Sequence, residues 1–452
     1  MRKTTFALAL VTAAVLSACG GNGSRSGDQT PATKFSSQIS FGDSLSDVGS
    51  YNVGTVKALG GGKFTINGDN TAVNAELTGK NWTEYVAAQL GLAAPCSAQT
   101  GLEGDASKGF AVPVTFNANC FNYAQGGSRV TNPVGPNNKA LNPTLGLTTV
   151  PVVTQIANHL AKAGGKFAGT ELVTVMAGGN DILFLLGDLS TRATAAGTAA
   201  GSKAFATSLV GQLAAGATNP ATAAQTIGLA VQTEAARTGS TPQTIVQAGV
   251  VAAVQAGFAG APAQATAIAA KAQTDATAAG AKAGADFATA NAPGVVQAMT
   301  IAGTELANLV KTQIVAKGAG YVVVNNLPDV ASTPSGKSQT EAIQTLIKTA
   351  VDAFNAQVKA GVAGEAKVLY VDLWSISHDQ VTNPAPYGLT NTSTPACGAN
   401  ALGMSSLVCN KTNTIAGDVS HYMFADEVHP TPFENALVAR YVLLQMTGKG
   451  WL

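Results

Sequence analysis

A layered α/β domain on a largely parallel sheet is the fold class this sequence predicts. Two observations predict it. Short, mostly apolar runs of strand length recur along the chain, and helical patterns lie between several of them. The first strand is expected at residues 35–41, where Ser and Gln interrupt the apolar residues. Residues 82–90 read as a helix, 121–124 as a second strand and 152–163 as a helix. Residues 172–176 form the third strand and 321–325 the fourth. Residues 340–360 then place Ile343, Leu346, Ile347, Val351 and Phe354 on one helical stripe. Residues 368–373 are the last strand, and 432–446 read as a closing helix.

The segment from about 187 to 318 has a different composition. Ala, Thr, Gln and Gly dominate, and its aromatic residues are Phe205, Phe258 and Phe287. Stretches at 242–256 and 265–279 look helical. So few aromatics argue against a large core of its own, and a helical insertion that packs on the sheet domain is expected. A lid or wall over an active site is the functional alternative. Residues 35–452 are read as one domain carrying this insertion, because candidate site residues come from both sides of it.

The N-terminus reads as an export leader spanning residues 1–18. Arg2 and Lys3 precede an apolar run at 6–18 that is too short to span a bilayer. The run ends Leu16-Ser17-Ala18-Cys19, which resembles a bacterial lipobox, so lipidation at Cys19 is expected. By resemblance to lipoprotein sorting, Gly20 after the cysteine implies an outer-membrane lipoprotein, periplasmic or surface-exposed. Residues 19–34, rich in Gly, Ser, Asn and Thr, read as a flexible tether.

Composition narrows the function classes. The chain has 26 Lys and Arg against 25 Asp and Glu; without Arg2 and Lys3 the balance is −1. Charged residues make up 11% of the chain, against a typical ~25%. No basic face suited to nucleic acid is implied. Setting Cys19 aside leaves Cys96, Cys120, Cys397 and Cys409, which allow three pairings. Short loops favour Cys96–Cys120 and Cys397–Cys409, consistent with an oxidising compartment. No His/Cys cluster has zinc spacing, and the histidines are His159, His378, His421 and His429.

Ser44 lies in Phe41-Gly42-Asp43-Ser44-Leu45-Ser46-Asp47, directly after the first candidate strand. That puts it at a strand's C-terminal edge, where open α/β sheets bind ligands. A four-residue string is weak evidence alone, and the Gly-x-Ser-x-Gly elbow of α/β hydrolases is absent from the chain. A serine hydroxyl needs a base in reach and a group that orients the base. Phe424-Ala425-Asp426-Glu427-Val428-His429-Pro430-Thr431 offers both, because the three-residue spacing lets the Asp426 carboxylate reach one imidazole nitrogen. Spacing alone does not choose, since Asp418 precedes His421 by the same interval and Asp379 adjoins His378. The Pro430-Thr431-Pro432 entry into the last helix favours His429. Attack on an ester also builds negative charge that preorganised donors must meet. Asn122-Tyr123-Ala124-Gln125-Gly126-Gly127-Ser128 and Met176-Ala177-Gly178-Gly179-Asn180-Asp181 are the candidate donor segments, though each alone reads as a turn.

Taken in order, these four blocks resemble the GDSL lipase/esterase family, also called SGNH hydrolases. Asn325-Asn326-Leu327-Pro328-Asp329 and Ala353-Phe354-Asn355 are similar to its later segments. The resemblance covers most of the chain outside the insertion. It implies a three-layer α/β/α sandwich with a flavodoxin-like parallel sheet. It implies Ser44 as nucleophile and first oxyanion donor, Gly127 as second donor with Gly126 as a substitute, Asn180 as third, His429 as base and Asp426 as its partner. The implied activity is carboxylic-ester hydrolysis through an acyl-serine, with no metal or organic cofactor, by a monomer whose partners are an ester substrate and the membrane that holds its lipid anchor. Acyl transfer, polysaccharide deacetylation from the same site, or a non-catalytic binding lipoprotein are the alternatives. The insertion after Asn180 and the cysteine pairs depart from the family pattern.

Overall fold

A computed structural model describes residues 33–68, 74 and 77–452. The leader, Cys19 and all but the last two residues of the tether lie outside the described residues. The chain runs β1 (Gln38–Gly42), α1 (Gly54–Ala58), α2 (Trp82–Gln89), β2 (Gln99–Glu103), β3 (Ala111–Phe116), α3 (Val152–Lys162), β4 (Leu172–Met176) and α4 (Gly179–Ala215). It continues through α5 (Pro220–Ala235), α6 (Pro242–Gln255), α7 (Ala261–Leu309), β5 (Tyr321–Asn325), α8 (Pro334–Lys337), α9 (Glu341–Val362), β6 (Val368–Val371), α10 (Leu373–Thr382) and α11 (Pro432–Gly448).

Strands β1, β4, β5 and β6 form a parallel sheet in that spatial order. Successive side chains point to opposite faces, so a strand covered on both sides must be apolar throughout. Val173 and Val175 pack with Ile156 of α3, Leu306 of α7 and Phe354 of α9. Leu172 and Met176 pack on the other face with Trp82 of α2 and Val442 of α11. Two helical layers therefore sandwich the sheet, giving the three-layer α/β/α fold.

Residues 121–124 correct the expected strand. They form no named strand, but Asn122 makes isolated parallel bridges to Ser40 of β1 and to Ser97, with backbone bonds from Ser40 N to Phe121 O and from Tyr123 N to Ser40 O. The Asn122 side chain donates to Ser46 O and accepts from Ala124 N, so it ties the segment to the serine loop as well as to β1. The antiparallel β2–β3 pair, with β3 largely exposed, was not anticipated. Helix α10, directly after β6, was not either.

The segment after Asn180 is helical, but α4 already begins at Gly179 and carries the chain outward without a break. Ala-rich sequence favours helix, and the 49 residues of α7 extend roughly 70 Å. Close contact between α4 and α7 depends on Gly197: a Cβ there would stand 2.8 Å from Gly280 O. Near the sheet, Met299 and Leu306 of α7 join the main core. Farther out, Leu209, Leu213, Ile227, Val231, Val250 and Ile268 form a separate aliphatic cluster, a small core made without buried aromatic rings. Both cysteine pairs are bonded as expected, Cys96–Cys120 and Cys397–Cys409. No helix among the described residues is long and apolar enough to cross a membrane.

Candidate active site

Because the sheet is parallel, the C-terminal ends of its strands deliver their following loops to one edge. β1 ends in Asp43-Ser44, β4 leads through Gly178 into Asn180, and β5 leads into Leu327-Pro328. These segments meet the loop before α11 in a cleft of about 60 Å³ lined by Ser44, Asn180, Leu327 and His429.

His429 Nε2 lies 2.9 Å from Ser44 Oγ, across 385 residues of chain. Its Nδ1 lies 2.8 and 2.9 Å from the two oxygens of Asp426. The tautomer that carries its proton on Nδ1 satisfies Asp426 and turns the Nε2 lone pair toward the serine. Asp426 is buried and also accepts N–H bonds from Ser406 at 2.8 Å, Val428 at 3.0 Å and His429 at 2.9 Å. Burial opposes its charge, but His429 and these donors outweigh burial and hold the carboxyl well below the usual carboxylate range. The Phe64 ring lies against the imidazole, with centroids 4.9 Å apart. Thr431 caps α11 by accepting from Glu434 N, and Pro432 occupies the first turn. The His429 loop thus enters a fixed helix start.

The candidate oxyanion donors are held from several directions. Gly178 precedes α4 at φ +115°, and a Cβ there would stand 2.4 Å from the Phe354 ring. The chain can turn so tightly into Asn180 only without a side chain. One Asn180 amide hydrogen goes to Ser128 O at 2.9 Å; a primary amide has two. The two glycines of the next segment differ. Gly126 N donates to Asp47 Oδ2 at 3.0 Å, whereas no acceptor among the described residues takes the N–H of Gly127 or Ser44. Gly127 does not itself line the cleft. Asp43, beneath the serine, is pushed up to about 7 by burial, with Asp181 adding to the rise and Leu45 N–H and His429 opposing it. Arg129 pairs with Asp181 at 2.9 Å.

The other histidines lie elsewhere. His421 stacks on Phe433 and bonds Gly388 O. His378 pairs with Asp329 at 2.7 Å, not with its neighbour Asp379. His159 is buried beside Tyr123, and burial lowers it to about 4.

Sequence reading missed the residues that brace the cleft. Gln155 of α3 clamps Gly42, accepting its N–H and donating to its C=O, both at 2.8 Å. Asp47 gathers Gly49, Ser50 and Gly126. Ser406, inside the Cys397–Cys409 loop, supplies the donor to Asp426 Oδ2. Asp47 stood within a quoted motif, but nothing local signals Gln155 or Ser406. Asn355 bonds both backbone groups of Leu327, at 2.9 and 3.0 Å, which gives the two later segments of the pattern a shared physical purpose.

Two further spaces adjoin the cleft. A groove of about 650 Å³ runs between α4, α7 and α9, has no charged residue in its lining, and shares Leu183 and Val428 with the cleft. A smaller, mostly apolar cavity of about 60 Å³ lies on the other side and shares Leu45 and Pro328.

A family model described as GDSL-like lipase/acylhydrolase matches residues 275–442, a span that contains Asp426 and His429 but not Ser44. The GDSL esterase/lipase APG of Arabidopsis thaliana is 26% identical over 144 residues, 29% of this chain and 41% of its own length. A second GDSL esterase/lipase from that plant is 35% identical over 81 residues, 18% of this chain and 22% of its own. The anther-specific proline-rich protein APG is 28% identical over 126 residues, 26% of this chain and 24% of its own. Each match spans less than half of the relative. With the ordered blocks and the α/β/α fold, these matches make the chain similar to the GDSL lipase/acylhydrolase family.

Proposed function

We propose that the protein hydrolyses carboxylic esters through an acyl-Ser44 intermediate. One observation carries the reading: the unbroken Ser44–His429–Asp426 hydrogen-bond chain, with both imidazole nitrogens engaged. His429 takes the Ser44 proton as Oγ attacks the carbonyl. Asp426 holds the ring and favours the imidazolium that forms. The carbonyl oxygen, now negative, is met by the Ser44 and Gly127 N–H groups and by the Asn180 amide. Collapse expels the alcohol, which takes its proton from His429. Water then attacks the acyl-enzyme, giving its proton to the same nitrogen, and the acid leaves as Ser44 regains its hydrogen. The test is Ser44→Ala with a short-chain nitrophenyl ester and a fluorophosphonate probe. Turnover and labelling are both expected to vanish in folded protein, and undiminished turnover would reject Ser44.

The leader and Cys19 support export and lipid anchoring to the outer membrane. The named plant relatives do not bear on that part of the reading. Cys19→Ala is expected to abolish incorporation of labelled fatty acid and release the protein from membranes; retained label would remove the anchor from the account.

A further inference from the structure

The connection from 383 to 431 carries Asp426 and His429, yet it has no strand or α-helix among the described residues. So long a stretch without regular structure is uncommon in a compact domain and is usually functional. No regular ladder holds its two catalytic side chains, so other bonds must. The Cys397–Cys409 disulfide lies within it, and both cysteines are 0% exposed.

The disulfide joins two segments that meet the triad loop. At one end, Ala396 N and Cys397 N donate to Phe424 O and Ala425 O at 2.9 and 2.8 Å, so the chain runs beside the residues just before Asp426. At the other end, a 3₁₀ turn over Ser406–Val408 leads into Cys409, and Cys409 N donates to Ser406 O at 3.1 Å. Ser406 N donates to Asp426 Oδ2 at 2.8 Å, the one backbone donor this oxygen has among the described residues. Leu407 and Val408 pack in a cluster with Phe64, whose ring lies against His429. Between the cysteines, residues 398–405 reach the surface, where Met404 is 44% exposed. Asn67 donates to Ser406 O and Cys409 O. With the disulfide open, hydrogen bonds and packing of this kind would be all that holds Ser406 against Asp426.

We propose that the Cys397–Cys409 disulfide is a positioning element of the catalytic site, holding the Ser406 N–H on Asp426, and that the protein is an efficient esterase only once this bond has formed. The proposal rests on Ser44 being the esterolytic nucleophile. Without the Ser406 donor the carboxylate is free to turn, and the imidazole it orients turns with it. A displacement of about 1 Å at a reacting group costs on the order of 10² in rate. Bond formation is a thiol–disulfide exchange. One cysteine, as its thiolate, attacks a disulfide oxidant; a mixed disulfide forms and one sulfur of the oxidant leaves. The second thiolate then displaces the other sulfur. The two cysteines give up two electrons and two protons, and the oxidant departs as a dithiol. The chain with both thiols reduced keeps all three triad residues but a slack base, so an oxidising compartment completes the site.

The experiment measures kcat and KM on nitrophenyl butyrate with the oxidised full chain and three variants. In the double variant Cys397→Ala/Cys409→Ala, kcat should fall about 10- to 100-fold, with KM within about twofold because the binding surfaces are untouched. Cys96→Ala/Cys120→Ala opens the other, more exposed disulfide and should keep kcat within about threefold. Ser406→Pro keeps the Cys397–Cys409 bond and removes only the donor N–H from the backbone. Proline suits the first position of that turn, since Ser405 before it is extended at ψ 133°. It should reproduce the fall in kcat. A kcat within about threefold of wild type in Ser406→Pro, or in the folded Cys397/Cys409 variant, overturns the proposal, as do equal losses in both cysteine variants. Should the Cys397/Cys409 variant fail to fold, Ser406→Pro decides by itself. A wild type that neither cleaves the ester nor takes a fluorophosphonate at Ser44 would bring down the esterase reading and this one with it. Labelling and turnover in wild type, with no fall in Ser406→Pro, would bring down this one alone.

Discussion

Replacing Asp426 by asparagine probes the orientation of the base, and the structure predicts its outcome in some detail. Oδ1 accepts two backbone N–H groups, from Val428 and His429, while Oδ2 accepts one, from Ser406. An asparagine keeps most of these bonds if its oxygen takes the Oδ1 place. Its NH2 then faces His429 Nδ1, which must become an acceptor. The imidazole proton moves to Nε2, the atom 2.9 Å from Ser44 Oγ, and the ring can no longer take the serine's proton. The fold is kept and the tautomer is wrong. In an unrelated serine hydrolase the same exchange costs roughly 10⁴ in kcat, or about 5.5 kcal/mol of transition-state stabilisation at ~1.36 kcal/mol per decade. We expect Asp426→Asn to lose about 10³- to 10⁴-fold in kcat on a nitrophenyl ester, with KM little changed and a melting temperature close to wild type. Asp426→Ala should be less stable, because three backbone donors lose their acceptor. A kcat within tenfold of wild type in folded Asp426→Asn would refute the claim that this carboxylate sets the base.

Two further outcomes follow from the same geometry. Asn180→Ala should lower kcat by on the order of 10² to 10³, measured on the same ester with melting temperature as control, and an unchanged kcat would remove Asn180 from the oxyanion site. Burial lifts Asp43 to about 7 and Glu434 to about 8. Both carboxyls hold protons more tightly folded than unfolded, so their contribution is present below their ordinary values of 3.8 and 4.5 and is lost as pH rises through 7 and 8. The unfolding free energy from urea titrations should therefore fall between pH 5 and 8 by on the order of a few kcal/mol, with the midpoint falling too, and Glu434→Gln should flatten the upper part of that slope. A midpoint that rises over this range in wild type would contradict the sign.

How much of this was legible depended on how local each cause is. Residues 172–176 and 321–325 coincide with β4 and β5 because a strand buried on both faces must be apolar at every position. Residues 121–124 look similar but are bridged only at Asn122, to Ser40 on one side and Ser97 on the other, which is too short a pairing for a strand. The β2–β3 pair was hard to read because Pro113 interrupts the alternation of Val112, Val114 and Phe116 and β2 has no alternation at all. The Ala-rich segment announced its helices through propensity, yet its separate aliphatic core needs four helices at once and has no signature in any one of them.

The chain by itself determined the layered α/β class, the short-loop cysteine pairs and the four ordered blocks, because each depends on residues close in sequence or on a turn that only certain residues allow. The tertiary structure gave the distance that aspartate spacing could not, setting His429 at 2.9 Å from Ser44 Oγ. Three of the four histidines have an aspartate nearby in sequence or in space, so aspartate proximity does not separate them. The tertiary structure also decided which glycine N–H is spent on Asp47 and how Gln155 and Ser406 brace the cleft. Those outcomes are set by hydrogen bonds between segments far apart along the chain, and such pairings leave no periodic trace in the order of residues.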